Sequence, residues 1–163
     1  MTMPATSEAV SKTGLTVDRI ANTIRLVREF GAPPPVIFDA WTQPEHVACW
    51  WDPAGEPLAE CDIDLRPGGA FKFVSRAHSD MPFAGFYREI RRPERLEFDA
   101  LGAKGRVTLH SAGPGTRMVV EIECASAEHL EQFLKMGVDV GTAQTLDNLV
   151  AYVGQLGAAV ASA

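Results

Sequence analysis

Residues 59–75 read AECDIDLRPGGAFKFVS. Apolar side chains alternate with polar ones on both sides of Pro67-Gly68-Gly69, with Ile63 and Leu65 before it and Phe71 and Phe73 after it. Period-two alternation marks a half-buried strand. Proline suits the second position of a tight turn and glycine the third, where a type II turn needs positive φ. Two strands joined by so short a turn must pair antiparallel. The stretch therefore predicts a strand, a turn and a returning strand, with the apolar parity of both strands facing one core.

The same pattern continues outward. Strand cores are predicted at Ala59–Leu65, Ala70–Ser75, Phe83–Ile90, Arg95–Leu101, Arg106–His110 and Arg117–Cys124. Turn chemistry separates them at Arg92-Pro93, from Gly102 to Gly105, and at Gly113-Pro114-Gly115. Upstream, Thr23–Phe30 (TIRLVREF) alternates Ile24, Leu26 and Phe30 against Arg25 and Glu29, with Arg28 breaking the apolar face. Ala32-Pro33-Pro34-Pro35 ends that strand, and short helices follow at Val36–Trp41 and Pro44–Trp51. Downstream, Ser126 is a good N-cap, with Glu128 in the first turn. Leu130, Leu134, Val138, Leu146, Leu149, Val153 and Leu156 then recur at helical spacing, predicting one long helix of roughly 45 Å. The class is α+β: a curved antiparallel sheet wrapped around a long C-terminal helix, with two short helices after the first strand.

The chain has 163 residues, which suits one domain, expected over 22–157 with flexible ends at 1–21 and 158–163. A formal net charge of −6 without a basic block argues against nucleic acid. No apolar run reaches the ~20 residues of a membrane span. The first residues lack the apolar stretch of a secretory signal. Cys49, Cys61 and Cys124 are odd in number and show no CxxC spacing, so reduced thiols and a cytoplasmic location are expected.

Standard catalytic signatures are missing: no GxSxG, Walker loop, GxGxxG or HExxH occurs. His46, His78, His110 and His129 fall on separate elements, so no metal and no cofactor are expected. Asp62 and Asp64 share one strand face, which allows a metal or acid–base pair; the plainer reading is a solvated face with Asp64 pairing with Arg66 or turn amides. Glu89 shares parity with Gly85 and Tyr87, but Phe86 and Ile90 favour the other face, and a bulge could switch sides midway. The candidate ligand-binding set is apolar: Trp50, Phe71, Phe73, Tyr87, Phe98, Met118, Phe133, Met136 and Val140. Trp50 and Trp51 are expected at the pocket entrance.

Local motifs sharpen this reading. Ala32-Pro33 precedes Val36-x-Phe38-x-Ala40-Trp41-Thr42-x-Pro44-Glu45-His46, then Trp50-Trp51 and Pro53. Asp64-Leu65-Arg66-Pro67-Gly68-Gly69-x-Phe71-x-Phe73 follows, then Gly85-x-Tyr87-x-Glu89-Ile90 with Pro93-x-Arg95-Leu96-x-Phe98. Gly115-Thr116-Arg117 and Leu146-Asp147-x-Leu149 complete the series. In this order, over about Asn22 to Leu156, they resemble the stand-alone bacterial members of the Activator of Hsp90 ATPase homologue-like family, in the START-like (SRPBCC) superfamily.

The resemblance implies a helix-grip fold holding an apolar or aromatic small molecule, non-covalently, between the last helix and the sheet. It leaves open an enzyme of cyclase or hydrolase type in the same cavity, using Tyr87 or Glu89. A protein-interaction module like the co-chaperone that names the family is also open, and a homodimer is allowed. Two positions depart from the family pattern: Asp52 replaces a glycine and Thr142 a tryptophan, at the implied cavity and its rim. Gly137 and Gly141 would each weaken a helix by about 1 kcal/mol relative to alanine. The resemblance implies that they leave room at the cavity end of that helix.

Overall fold

In the computed structural model, which describes residues 14–162, Gly68 has φ +83° and the Gly69 N–H donates to the Arg66 carbonyl at 2.8 Å. This is the type II arrangement that proline followed by glycine favours. A Cβ on Gly69 would lie 2.0 Å from the Asp64 carbonyl oxygen, so the second glycine is required by close approach. The turn joins β3 (Glu60–Ile63) to β4 (Ala70–Val74). The meander continues through β5 (Phe83–Arg91), β6 (Arg95–Ala100), β7 (Ala103–Ala112) and β8 (Gly115–Glu123).

Before the meander come β1 (Leu15–Asp18), β2 (Thr23–Phe30), α1 (Pro34–Thr42) and α2 (Pro44–Trp50), each helix opening on a proline. After it come α3 (Ala127–Lys135) and α4 (Val138–Ser162). The described strands form one eight-stranded antiparallel sheet in the order β1-β2-β8-β7-β6-β5-β4-β3. β2 pairs with β8 from Thr23↔Glu123 to Phe30↔Thr116, so the first long strand lies beside the last. The helices cover the concave face, where Ile24, Leu26, Leu96, Val107, Met118 and Leu146 are buried in one core. No described helix is long and apolar enough to cross a membrane.

Four expectations are corrected. The flexible start expected over 1–21 gives way at Leu15–Asp18, which pairs with Thr23–Leu26 as β1; residues 1–13 lie outside the described residues. Helical backbone also runs to Ser162, into the expected flexible end at 158–163. The single long helix is broken: Gly137 has φ +77°, and its N–H donates to the Leu134 carbonyl at 3.1 Å, ending α3. Leu65 is exposed because the β3 ladder stops at Ile63 and the chain turns at Asp64.

Arg28, on the apolar parity of β2, is buried and reaches α4 instead of solvent. Its Nε donates to Asp147 Oδ1 at 2.9 Å and its Nη2 to the Ala143 carbonyl at 3.2 Å. The outer sheet face carries an ion-pair lattice. Arg106 donates to Glu97 (2.9 Å) and Glu121 (3.0 Å), and Arg95 also binds Glu97. Burial alone would raise the Glu97 carboxyl, but hydrogen bonds from Arg106 and Arg95 hold it below its ordinary 4.5.

Two outcomes follow from this geometry. Gly68→Val forces a β-branched residue to positive φ, at roughly 1–3 kcal/mol. Its melting temperature should fall by several degrees, while Gly154→Ala, at an exposed helical site with open space around it, leaves stability equal or higher. Equal small effects would contradict this turn. For Glu97, a depressed folded pKa means its contribution is present above the unfolded value and lost as pH falls through the folded one. The stability gap between wild type and Glu97→Gln should therefore be widest near neutral pH and close below pH 4.5; a gap independent of pH across that window contradicts the lattice.

Candidate functional site

Inward parity and side-chain size divide the concave face into a filled end and an open end. At the β4–β5 end, aromatic rings pile together: Phe71 with Phe73 (5.2 Å between centroids) and Tyr87 (5.1 Å), and Trp51 with Phe73 (4.9 Å) and Phe83 (5.0 Å). Gly85 makes room for this pile, since a Cβ there would sit 2.8 Å from the Phe71 ring. Between these rings, Trp41, Leu96 and Phe98 only about 10 Å³ of space remains.

Beyond Phe98 the inward positions of β6 and β7 become small. Ala100, Ala103 and Gly105 leave a cavity of about 260 Å³ under the helices. A Cβ on Gly105 would meet the Phe98 ring at 2.5 Å, so the ring lies flat over the glycine. The helical wall is one stripe of α4: Val138, Gly141, Thr142, Thr145 and Leu146, at spacings of three and four. Val120 and Ile122 from β8, Phe133 from α3, and Trp41, Trp51, Pro53 and Phe83 complete the lining.

Hydrogen bonds hold both flanks. Asp52 is buried, with Oδ1 accepting from Ser75 Oγ (2.9 Å) and Oδ2 from the Ala54 (3.1 Å) and Glu56 (3.3 Å) amides. The same loop is tied to α4, where Thr145 Oγ1 donates to the Trp51 carbonyl (3.0 Å) and Asn148 Nδ2 to that of Asp52 (2.9 Å). On the other flank, the Ala125 amide donates to His129 Nδ1 (3.0 Å), so Nε2 carries the proton and donates to the Leu101 carbonyl (3.2 Å). The His129 ring meets Phe133 at 4.4 Å, seating that side chain on the cavity. Leu101 occupies φ +55° in the β6–β7 turn, a backbone region that asparagine or glycine usually takes. Its exposed side chain forms part of the cavity lip.

Of the residues singled out from the sequence, Phe98 and Phe133 lie on this cavity. Phe71, Phe73 and Tyr87 lie in the adjoining aromatic pile. The others are placed elsewhere. Trp50 is fully buried, its Nε1 donating to the Ala40 carbonyl at 3.0 Å; Trp51, after the helix ends, turns to the cavity instead. Met118 is fully buried beneath Trp41, whose Nε1 donates to its sulfur at 3.3 Å. Met136 and Val140 are exposed because the break at Gly137 rotates the helical stripe away from them. Glu89 faces the outer sheet surface: a bulge between Tyr87 and Glu89 aligns it with Glu97, and it pairs with Arg91 and Arg95.

Sequence reasoning missed Trp41, Phe83, Ala100, Ala103, Gly105, Val138 and Thr145 as lining residues. The run of small residues at inward positions was the available signal for open space. Burial, and secondarily Cys61, raises the Tyr87 phenol well above its usual range. The neighbouring Cys61 thiol is pushed up to about 11 by burial, then by Asp62 and Glu45. Both therefore stay protonated near neutral pH. Asp64 pairs with Arg66 at 2.9 Å, Asp62 is exposed, and His46 hydrogen-bonds the Tyr152 hydroxyl. Among the described residues, no three His, Cys, Asp or Glu side chains are grouped to hold a metal ion.

Residues 31–154 match the profile of a family described as Activator of Hsp90 ATPase homolog 1-like protein. A protein from Nitrosomonas europaea has a similar solved structure, with TM-score 0.76 and 23% identity over 83% of this chain and 96% of its own. One from Chromobacterium violaceum gives 0.66 at 27% identity, covering 79% of this chain and 95% of its own. The AHSA1-like protein from Aeromonas hydrophila gives 0.66 at 22%, covering 82% and 94%. No curated protein matches the chain in sequence.

The Asp52 knot is open to a direct check. Asp52→Ala leaves the Ser75 hydroxyl and two amides without their acceptor, which costs about 1–3 kcal/mol. Urea unfolding should show a midpoint lowered to match, with an unchanged slope. A change under about 0.5 kcal/mol, typical of ordinary surface sites, would show that the knot does not hold this loop.

Proposed function

The chain belongs to the Activator of Hsp90 ATPase homolog 1-like family, and from that premise we propose that it binds an apolar small molecule, without covalent chemistry, in the cavity beneath α4. The observation that carries this reading is the lining itself. Its side chains are aromatic, aliphatic or small, with two threonines and no titratable group among them. Transfer of apolar surface into such a site is favourable in proportion to the area removed from water.

The same lining weighs against a cyclase or hydrolase reading. General acid–base catalysis needs a titratable group within hydrogen-bond reach of the reacting atoms. Tyr87 is packed in the aromatic pile and Glu89 is paired with arginines on the opposite sheet face. Size limits the ligand as well. A cavity of ~150 Å³ holds benzene, so this one suits on the order of ten non-hydrogen atoms.

Gly141 supplies the test, because a Cβ there meets nothing within 4 Å while the residue lines the cavity. Gly141→Leu places a side chain in the ligand's space and improves helix propensity by roughly 1 kcal/mol. Naphthalene, followed by its own fluorescence, should bind wild type with a stoichiometry near one and fail to bind Gly141→Leu, whose melting temperature is equal or higher. Unchanged naphthalene binding by a folded Gly141→Leu contradicts this site.

A further inference from the structure

The polar groups of the cavity narrow the ligand beyond apolarity. Trp41 Nε1 is committed to the Met118 sulfur at 3.3 Å, and Thr145 Oγ1 donates to the Trp51 carbonyl at 3.0 Å. One turn earlier on the same stripe of α4, Thr142 lines the cavity, and its hydroxyl makes no hydrogen bond among the described residues. A hydroxyl can donate or accept, and in an apolar surround its bond to a ligand group meets little competition from water.

The shape of the cavity is also informative. Five rings, those of Trp41, Trp51, Phe83, Phe98 and Phe133, line it together with aliphatic Val120 and Leu146. Flat ligands suit such walls, because aromatic pairs gain from offset and edge-to-face contact beyond area burial alone. A formal charge is excluded on the same ground that favours a neutral polar group. With no lysine, arginine, histidine, aspartate or glutamate in the lining, an ionised ligand group would be desolvated without a counter-charge.

Resting on the binding reading above, we propose that the ligand is an uncharged aromatic molecule of about ten to thirteen non-hydrogen atoms, carrying one hydrogen-bonding substituent that meets the Thr142 hydroxyl. Thr142 is then a residue that selects among apolar molecules of equal size.

Naphthalene, 1-naphthol and 1-naphthoate share one ring system and differ in the feature at issue. Each is titrated at pH 7 into wild type, Thr142→Val and Gly141→Leu. Wild type should bind 1-naphthol about fivefold more tightly than naphthalene, the worth of one net hydrogen bond. It should bind 1-naphthoate at least a hundredfold more weakly than 1-naphthol, reflecting an unpaired buried charge. Thr142→Val, which keeps the side-chain shape, should lose the preference for 1-naphthol over naphthalene. Equal wild-type affinity for naphthalene and 1-naphthol overturns the inference, as does a preference that survives in Thr142→Val or tight binding of 1-naphthoate. Loss of naphthalene in Thr142→Val overturns the role given to its hydroxyl. The binding reading fails separately: neither neutral compound binds wild type, or both bind Gly141→Leu unchanged, and the inference falls with it.

Discussion

Aromatic rings jam one end of the concave face, and the cavity follows from where the jam stops. Phe71, Phe73, Phe83 and Tyr87 stack from β4 and β5 against Trp51, which follows α2. A curved sheet offers more concave surface than one helix covers. Side chains must fill the difference or leave space. Large rings fill it at the β4–β5 end; Ala100, Ala103 and Gly105 do not at the β6–β7 end. Interior packing elsewhere is close, so an opening of about 260 Å³ requires its walls to be held apart.

Several bonds do that holding, and all of them grip α4 or its approach. Arg28 ties α4 to β2 through Asp147 and the Ala143 carbonyl. Thr145 and Asn148 tie it to the Trp51–Pro53 loop, which Asp52 stiffens from within. His46 and Tyr152 join α2 to its far end. His129 seats α3 against the Leu101 carbonyl, and Gly137 lets the chain change direction between the two helices. Collapse of α4 onto the sheet would break these charge-assisted and buried bonds, and each bond left unmade is expensive. Positive φ at Leu101 fits the same picture: a locally strained residue tolerated where an apolar lip is wanted.

Much of the fold could be read in advance because its signals are local. The Pro67-Gly68-Gly69 turn, the strand alternation, and the paired prolines opening α1 and α2 each follow from backbone sterics or side-chain period. The site was less legible, for identifiable reasons. Phe98 and Phe133 follow from parity and from one helical face, but extending that face through Gly137 assigned Met136 and Val140 to the cavity. Nothing local tells whether a glycine ends a helix or thins it. The bulge that turns Glu89 outward depends on register with β6, which a single strand does not carry. Trp50 and Trp51 are adjacent in sequence, and only the packing of α2 on α1 decides which one the core takes. β1 was overlooked because Leu15 and Val17 make too short an alternation to stand out.

The central claim is physical: beneath α4 lies apolar space that side chains do not occupy. Xenon enters apolar cavities of this size and shows itself strongly to X-rays. Crystals of the protein under xenon pressure should contain a xenon atom bounded by Phe98, Phe133 and Leu146. The opposite result is equally plain. Side chains meeting across that space, or a hydrogen-bonded chain of ordered waters filling it, with xenon absent from the site, would contradict the account.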